Sequence, residues 1–248
     1  MANYYYLITA LPPLVLGSLP ELSFKELRKM LALNLTQEDK LLVEHLLRPI
    51  DLYNIRALWL ALPLDERGNL SAKELEEELL VQQSLPAYLI DYLQKYESTS
   101  DRLRYFSSLF ASLYRETAHL KGFLLKYYQF QRDLRLVLTA LRAKQFGKDI
   151  VRELQFEDPT DLLVAEILSQ KDAPEYVPPE EFEVLKTLFI DNGADPHKLH
   201  RAILRYQFNK IEEMEENQNF SMDLVLSYIV RFMLAESFAF DGELKKYE

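Results

Sequence analysis

Four histidines, His45, His119, His197 and His200, are the residues of this chain best suited to acid–base or metal chemistry, and there is no cysteine beside them. His197 and His200 stand three apart, so a helix would place both on one face with Asp195 close by. That pair offers two local metal ligands, but a closed zinc site needs four and the spacing specifies no others. A solvated first helical turn is the simpler use of such a pair. Two acidic runs follow, Glu74, Glu76, Glu77 and Glu78, then Glu212, Glu213, Glu215 and Glu216. Paired carboxylates serve glycoside hydrolysis, and di-iron bundles carry Glu-x-x-His on each of two helices, a doubled pattern this chain lacks. Both runs lie in stretches otherwise lined with apolar residues, which fits solvent-facing stripes. The absence of cysteine excludes disulfides, thiolate metal sites and thiol catalysis. No glycine-rich phosphate loop and no G-x-S-x-G turn occurs. The lone Trp59 falls at an apolar helix position suited to core packing. These residues point away from an enzyme: no catalytic centre, cofactor, metal or small-molecule substrate is expected.

The elements that would carry these residues are helices. Ser23-Phe24-Lys25-Glu26 and Ser71-Ala72-Lys73-Glu74 have the pattern of a capping box, in which hydroxyl and carboxylate each take one free backbone N–H. Thr36-Gln37-Glu38-Asp39 is a looser relative, with acids near the positive helix end. Asp195-Pro196 reads as an N-cap followed by proline at the first helical position, and Pro178-Pro179-Glu180-Glu181 opens a helix in a similar way. Apolar spacing then predicts helices near 23–33, 37–47, 51–62, 72–80, 86–97, 101–117, 119–146, 160–169, 179–191, 196–215 and 222–239. The 119–146 helix would span ~40 Å and form a central spine. With only 6 glycines in 248 residues, a hairpin-rich β fold is disfavoured. The expected fold is an all-α array of many helices around one long central helix. The expected lobes are residues 1–97, with an extended N-terminal strap, and 98–248, divided at Glu97-Ser98-Thr99-Ser100.

A short pattern occurs twice. Asn54-Ile55-Arg56-Ala57-Leu58-Trp59-Leu60-Ala61-Leu62 and Asp133-Leu134-Arg135-Leu136-Val137-Leu138-Thr139-Ala140-Leu141 share an Arg in third place and a closing Ala-Leu. This suggests a weak internal repeat in which Arg56 and Arg135 orient equivalent helices. Asp223-Leu224-Val225-Leu226 is a fainter third echo.

The formal net charge of -10 disfavours nucleic acid as a partner, since phosphate contacts need clustered Lys and Arg. Charge is uneven, however. Between Arg115 and Arg152 lie nine basic residues, among them Arg115, Lys121, Lys126, Arg132, Arg142, Lys144 and Lys148, against three acidic ones. Such a block either meets an acidic partner or neutralises acidic helices of the same protein. Residues 1–20 carry no charged side chain. Tyr4, Tyr5 and Tyr6 favour extended backbone there, and Pro12, Pro13 and Pro20 would break a spanning helix. That strap either packs over the helices or docks a partner. No segment looks able to cross a membrane, so a cytoplasmic protein is expected, with membrane association only through partners.

Three segments carry a family resemblance. Tyr4-Tyr5-Tyr6-Leu7-Ile8-Thr9-Ala10-Leu11-Pro12 resembles the opening of a bacterial family of uncharacterised helical proteins found in company with V/A-type ATPase components. Arg132-Asp133-Leu134-Arg135 through Ala140-Leu141-Arg142-Ala143-Lys144 resembles that family's central helix. Phe220-Ser221-Met222-Asp223-Leu224-Val225-Leu226-Ser227-Tyr228 resembles its late helix. The family is in turn similar to the C/d component of V/A-type ATPases, an all-helical funnel built from related units. The recurrent acid-x-x-Asn-apolar segment of that funnel is echoed by Asp51-Leu52-Tyr53-Asn54-Ile55-Arg56. The resemblance implies a non-catalytic coupling subunit that joins the central rotor stalk to the membrane ring. The funnel has three related units, whereas two are visible here. The candidate partner surfaces are Tyr4, Tyr5 and Tyr6 together with Arg115, Lys121, Lys126, Arg132, Arg142, Lys144 and Lys148. The alternative is a helical protein–protein adaptor unrelated to rotation.

Overall fold

The computed structural model describes residues 4–215 and 220–244, with side chains as far as Asp241. Among these residues every regular element is helical: thirteen α-helices and two 3-10 turns. They form two compact units, residues 35–120 and residues 1–34 with 121–248. The units therefore part at 34/35 and 120/121, and the expected 97/98 boundary falls inside the smaller one. Glu97-Ser98-Thr99-Ser100 is a helix start there, because the Ser98 side chain accepts from Asp101 N.

The segment Tyr5–Ala10 is helical, not extended. Helix α1 runs Tyr5–Ala10 and α2 runs Phe24–Asn34, and both belong to the larger unit. Tyr4 and Leu7, three apart, are both buried, so helical spacing serves the core better than the strand preference of tyrosine. Ser23 and Glu26 close their capping box in front of α2, with Ser23 N donating to Glu26 Oε2 at 2.8 Å.

In the smaller unit, α3 (Gln37–Trp59) is one helix of 23 residues where two were expected. Pro49 lies inside it. Proline there removes only the N–H that would meet the His45 carbonyl, and the buried Leu46, Leu47, Leu52 and Ile55 hold both flanks to one core. Helices α4 (Ala72–Val81), α5 (Ala87–Lys95), α6 (Thr99–Arg104) and α7 (Ser107–Glu116) follow, and a 3-10 turn at Thr117–His119 ends the unit. The expected 101–117 helix is thus split at Tyr105-Phe106. The Arg102 carbonyl accepts from the Tyr92 hydroxyl, and Arg102 Nε donates to Tyr96 O at 2.7 Å, which ties α6 to the end of α5.

The larger unit is organised around α8 (Gly122–Gln145), whose 24 residues include eleven buried ones. Helices α9 (Ile150–Glu153), α10 (Leu162–Ser169), α11 (Glu183–Asn192) and α13 (Met222–Leu244) all pack on α8, and α12 (Pro196–Glu213) packs between α11 and α13. A 3-10 turn at Glu180–Phe182 opens α11. At the start of α8, Gly122 has φ of +60° and the Asp223 carboxylate lies 2.7 Å from where a Cβ would stand. Only glycine admits both the conformation and that approach, which sets a negative charge at the positive helix end.

The two copies of the internal pattern diverge in conformation. Asn54 to Trp59 are helical, but Ala61 turns left-handed at φ +52°. Ala61 N then donates to Leu58 O at 3.1 Å and Leu62 N to Ala57 O at 2.9 Å, the two bonds of a Schellman stop. Asp133 to Leu141 instead lie wholly inside α8. The expectation of equivalent helices is therefore corrected: the closing Ala-Leu ends one helix and continues the other. Substitution separates the two alanines. Ala61→Gly should raise stability in urea unfolding by about 0.5–1 kcal/mol, because it relieves a left-handed Cβ. Ala140→Gly, in a buried helix interior, should lower it by about 1 kcal/mol or more. Changes of the same sign would contradict the assignment.

Candidate functional site

The aromatic N-terminus is assembled from both ends of the larger unit. Tyr4 is buried, and its N–H donates to Phe220 O at 3.0 Å. One residue on, the Tyr5 ring meets Phe220 edge-on with centroids 4.7 Å apart, and Tyr6 stands edge-on to Tyr5 at 5.6 Å. Tyr5 is 48% exposed, Tyr6 85% and Phe220 42%. The segment beyond is anchored by the Tyr228 hydroxyl, which donates to Pro12 O at 2.9 Å. Of the three candidate tyrosines, Tyr4 therefore belongs to the core, while Tyr5 and Tyr6 form an exposed aromatic corner. The helical turn makes that division, since neighbours 100° apart cannot all face inward. Phe220 was not among the candidates, because only the fold brings it beside Tyr5.

The basic block does not become one patch. Arg132 NH2 pairs with Asp161 at 2.9 Å and NH1 with Asp133 at 2.9 Å. Arg135 pairs at 2.6 Å with Glu157, whose side chain is only 8% exposed. Lys144 Nζ donates to the carbonyls of Lys171 at 2.6 Å and of Ala173, holding the segment that leaves α10. Arg115 belongs to the smaller unit and turns back on α7, donating to Ala111 O and Ser112 Oγ. Lys121, Lys126, Arg142 and Lys148 are exposed. Lys126 and Arg142 stand sixteen positions apart on α8, which rotates them about 160° from each other. The block thus has two uses. One part pairs with neighbouring acids or bonds to carbonyls, while Lys126 and Arg142 stand on different sides of α8 and Lys121 and Lys148 flank it.

Electrostatics at the Arg132 cluster follow from burial and pairing. Burial pushes the Asp161 carboxyl up, but hydrogen bonds from Arg132 and from the N–H groups of Val164 and Leu163 outweigh it and hold it below the usual range. Burial raises Asp133, and Asp161 and Glu181 add to it against the pull of Arg132, so this carboxyl stands above its usual range. Burial of the Arg132 guanidinium is likewise outweighed by its bond to Asp161 and by the charges of Asp161, Asp133 and Glu157.

Most of the remaining candidates for chemistry have structural partners. Glu74 completes the capping box with Ser71, and Glu78 accepts from Ser84 N at 2.9 Å. Glu212 and Glu215 clasp Arg231 at 3.3 and 2.8 Å, and Glu215 also accepts from the Ser227 hydroxyl. Glu213 pairs with Lys210, and Glu216 lies outside the described residues. His197 Nδ1 lies 3.4 Å from Asp241, and His200 is exposed. Asp195 accepts from His197 N and Lys198 N as the cap of α12, as the sequence suggested. Among the described residues no group of three or more metal-binding side chains is gathered. No helix of the described residues is long and apolar enough to cross a membrane.

A polar clasp in the smaller unit lies outside the candidate partner surfaces. Asn54 is buried and exchanges two bonds with the Asp65 backbone, at 2.9 and 2.8 Å. Asp51 accepts from Asn69 N and Asn69 Nδ2, both at 2.7 Å. The acid-x-x-Asn spacing had marked both residues, but their partners lie in a loop whose path the sequence does not specify.

These features define an all-helical protein of two compact units, the larger of which carries an exposed aromatic corner. The chain belongs to the family described as "Protein of unknown function (DUF2764)", whose model matches residues 1–244. It is similar to an uncharacterized protein of Chlamydia muridarum, 33% identical over 242 residues, covering 95% of this chain and 91% of that protein. An uncharacterized protein of Chlamydia trachomatis is 32% identical over 244 residues, with the same two coverages of 95% and 91%. One of Chlamydia pneumoniae is 35% identical over 242 residues, again covering 95% and 91%. No solved structure matches the chain.

The Arg132 cluster yields an asymmetric expectation at neutral pH. Asp133→Asn should change stability by less than about 1 kcal/mol, because it removes a carboxylate that its acidic neighbours oppose. Arg132→Leu should cost about 2–3 kcal/mol, because it strands Asp133 and Asp161 half-buried without their cation. Urea unfolding of the two variants checks this, and equal costs would contradict the division of roles.

Proposed function

We propose that this protein is a non-enzymatic coupling subunit of a bacterial V/A-type ATPase, linking the central rotor stalk to the membrane ring. The observation that carries the reading is the position of the segment Arg132 to Lys144. It resembles the central helix of the ATPase-associated family, and here it lies in α8, on which α9, α10, α11 and α13 pack. A close-packed helical body transmits force with little deformation, which is what a coupling element needs. Work of this kind requires no cofactor and no small-molecule substrate. The partners are the stalk and ring subunits, with no part for nucleic acid. The protein would act in the cytoplasm and meet the inner membrane only through the complex.

Tyr5, Tyr6 and Phe220 form the contact surface in this reading. Exposed tyrosines supply large contact area at small entropic cost, and they are enriched among residues that dominate binding energy. The alternative is a helical adaptor outside ATP-driven rotation, which would use the same corner for another partner. Affinity capture of the tagged chain from native membranes, with mass spectrometry of what is retained, separates the two. Stalk or ring subunits should be recovered with the unaltered chain. The Tyr5→Ala/Tyr6→Ala variant should lower that recovery about tenfold or more while leaving the melting temperature nearly unchanged. Capture of a reproducible partner set without any ATPase subunit would favour the adaptor and exclude the coupling role.

A further inference from the structure

We propose that His45, Arg48, Glu116 and His119 form an acid-sensitive lock on the packing of α3 against α7. This device lies in the smaller unit and is independent of the ATPase reading.

The geometry is a small charge cluster at the end of α7. Arg48 NH1 reaches from α3 to Glu116 Oε1 at 3.1 Å, joining the two helices at the last turn of α7. His119 follows three residues on, and its Nδ1 lies 2.5 Å from the Glu116 carbonyl. His45 stands one helical turn before Arg48 and is half-buried. Tyr88 of α5 brings a buried hydroxyl to the same region, where Arg48, Glu116 and Asp51 act on it electrostatically. The titratable and charged groups around the ion pair are thus Asp51 and His45 of α3, Tyr88 of α5, and His119 of the turn after α7. Farther along the same two helices, Tyr53 and Phe110 pack with ring centroids 4.9 Å apart.

With the His45 ring neutral, Arg48 and Glu116 balance each other. Protonation of His45 adds a positive charge one helical turn from Arg48, and Glu116 alone answers both from the α7 side. Like charges in a half-buried site repel more strongly than in water. Burial holds His45 below its ordinary value of 6.5, and the charge of Arg48 and the neighbouring His119 act in the same direction. The sign follows from linkage. Below 6.5 the unfolded chain binds more protons at His45 than the folded one, so stability present above that pH is lost as pH falls through the folded value.

Hydrogen exchange of the full chain, read by mass spectrometry and corrected for intrinsic rates, tests the lock at about pH 7.5 and about pH 5.5. The segments 37–59 and 107–119 should lose protection about tenfold or more on acidification, while 122–145 in the other unit keeps its protection. His45→Gln, which preserves a polar side chain without a titrating ring, should remove most of that loss. Should that variant misfold, the unaltered chain still decides. NMR titration of the His45 ring should then show a midpoint that coincides with the loss of α7 protection. Protection of α3 and α7 that does not change with pH would overturn the lock. So would loss of equal size in 122–145, or a His45 titration that leaves α7 untouched.

Discussion

The structure depends on long helices whose side chains reach out to hold the segments next to them. With no cysteine and 6 glycines in 248 residues, covalent staples are absent and glycine-built turns are few. Connecting segments must nevertheless satisfy their backbone groups and stay in place. Side chains on the helices do this. Asn54 and Asp51 of α3 hold Asp65 and Asn69. Arg132 and Arg135 of α8 hold Asp161 and Glu157. Lys144 closes on the carbonyls after α10, and Arg231 of α13 holds the end of α12 through Glu212 and Glu215. Asn54 of the first internal copy and Arg135 of the second therefore share a task, although the helices that carry them end differently.

In the proposed role this arrangement would serve mechanical work. The charged side chains that first suggested reactivity are largely engaged in caps and clasps. Each half-buried pair adds position more than net stability, because desolvation offsets much of the attraction. Position is the property that a force-transmitting body needs. In the proposed role, the exposed aromatic corner at Tyr5, Tyr6 and Phe220 would offer partners an uncharged contact.

How far the fold was legible in the sequence depended on the range of each signal. The caps at Ser23, Ser71 and Asp195 were readable because their partners lie two or three residues away. The spine at α8 was readable from the spacing of its apolar residues. Three features required the tertiary core. Pro49 sits within a continuous helix because its flanking leucines share one core. Tyr4 becomes buried because Leu7 follows at helical distance and Phe220 closes on it from far along the chain. Ala61 leaves the helix although Ala140, in the same place of the pattern, does not. The basic candidates were legible as charges but not as a surface, since pairing with Asp161 and Glu157 depends on where the loop after α9 runs.

Native mass spectrometry of V/A-type ATPase released gently from membranes of a bacterium that carries this chain addresses the coupling role most directly. A coupling subunit would appear as a component of particles that hold both stalk and ring, and its removal would separate the two. Intact stalk–ring particles that lack the chain, with the chain recovered in a different complex, would contradict the proposal.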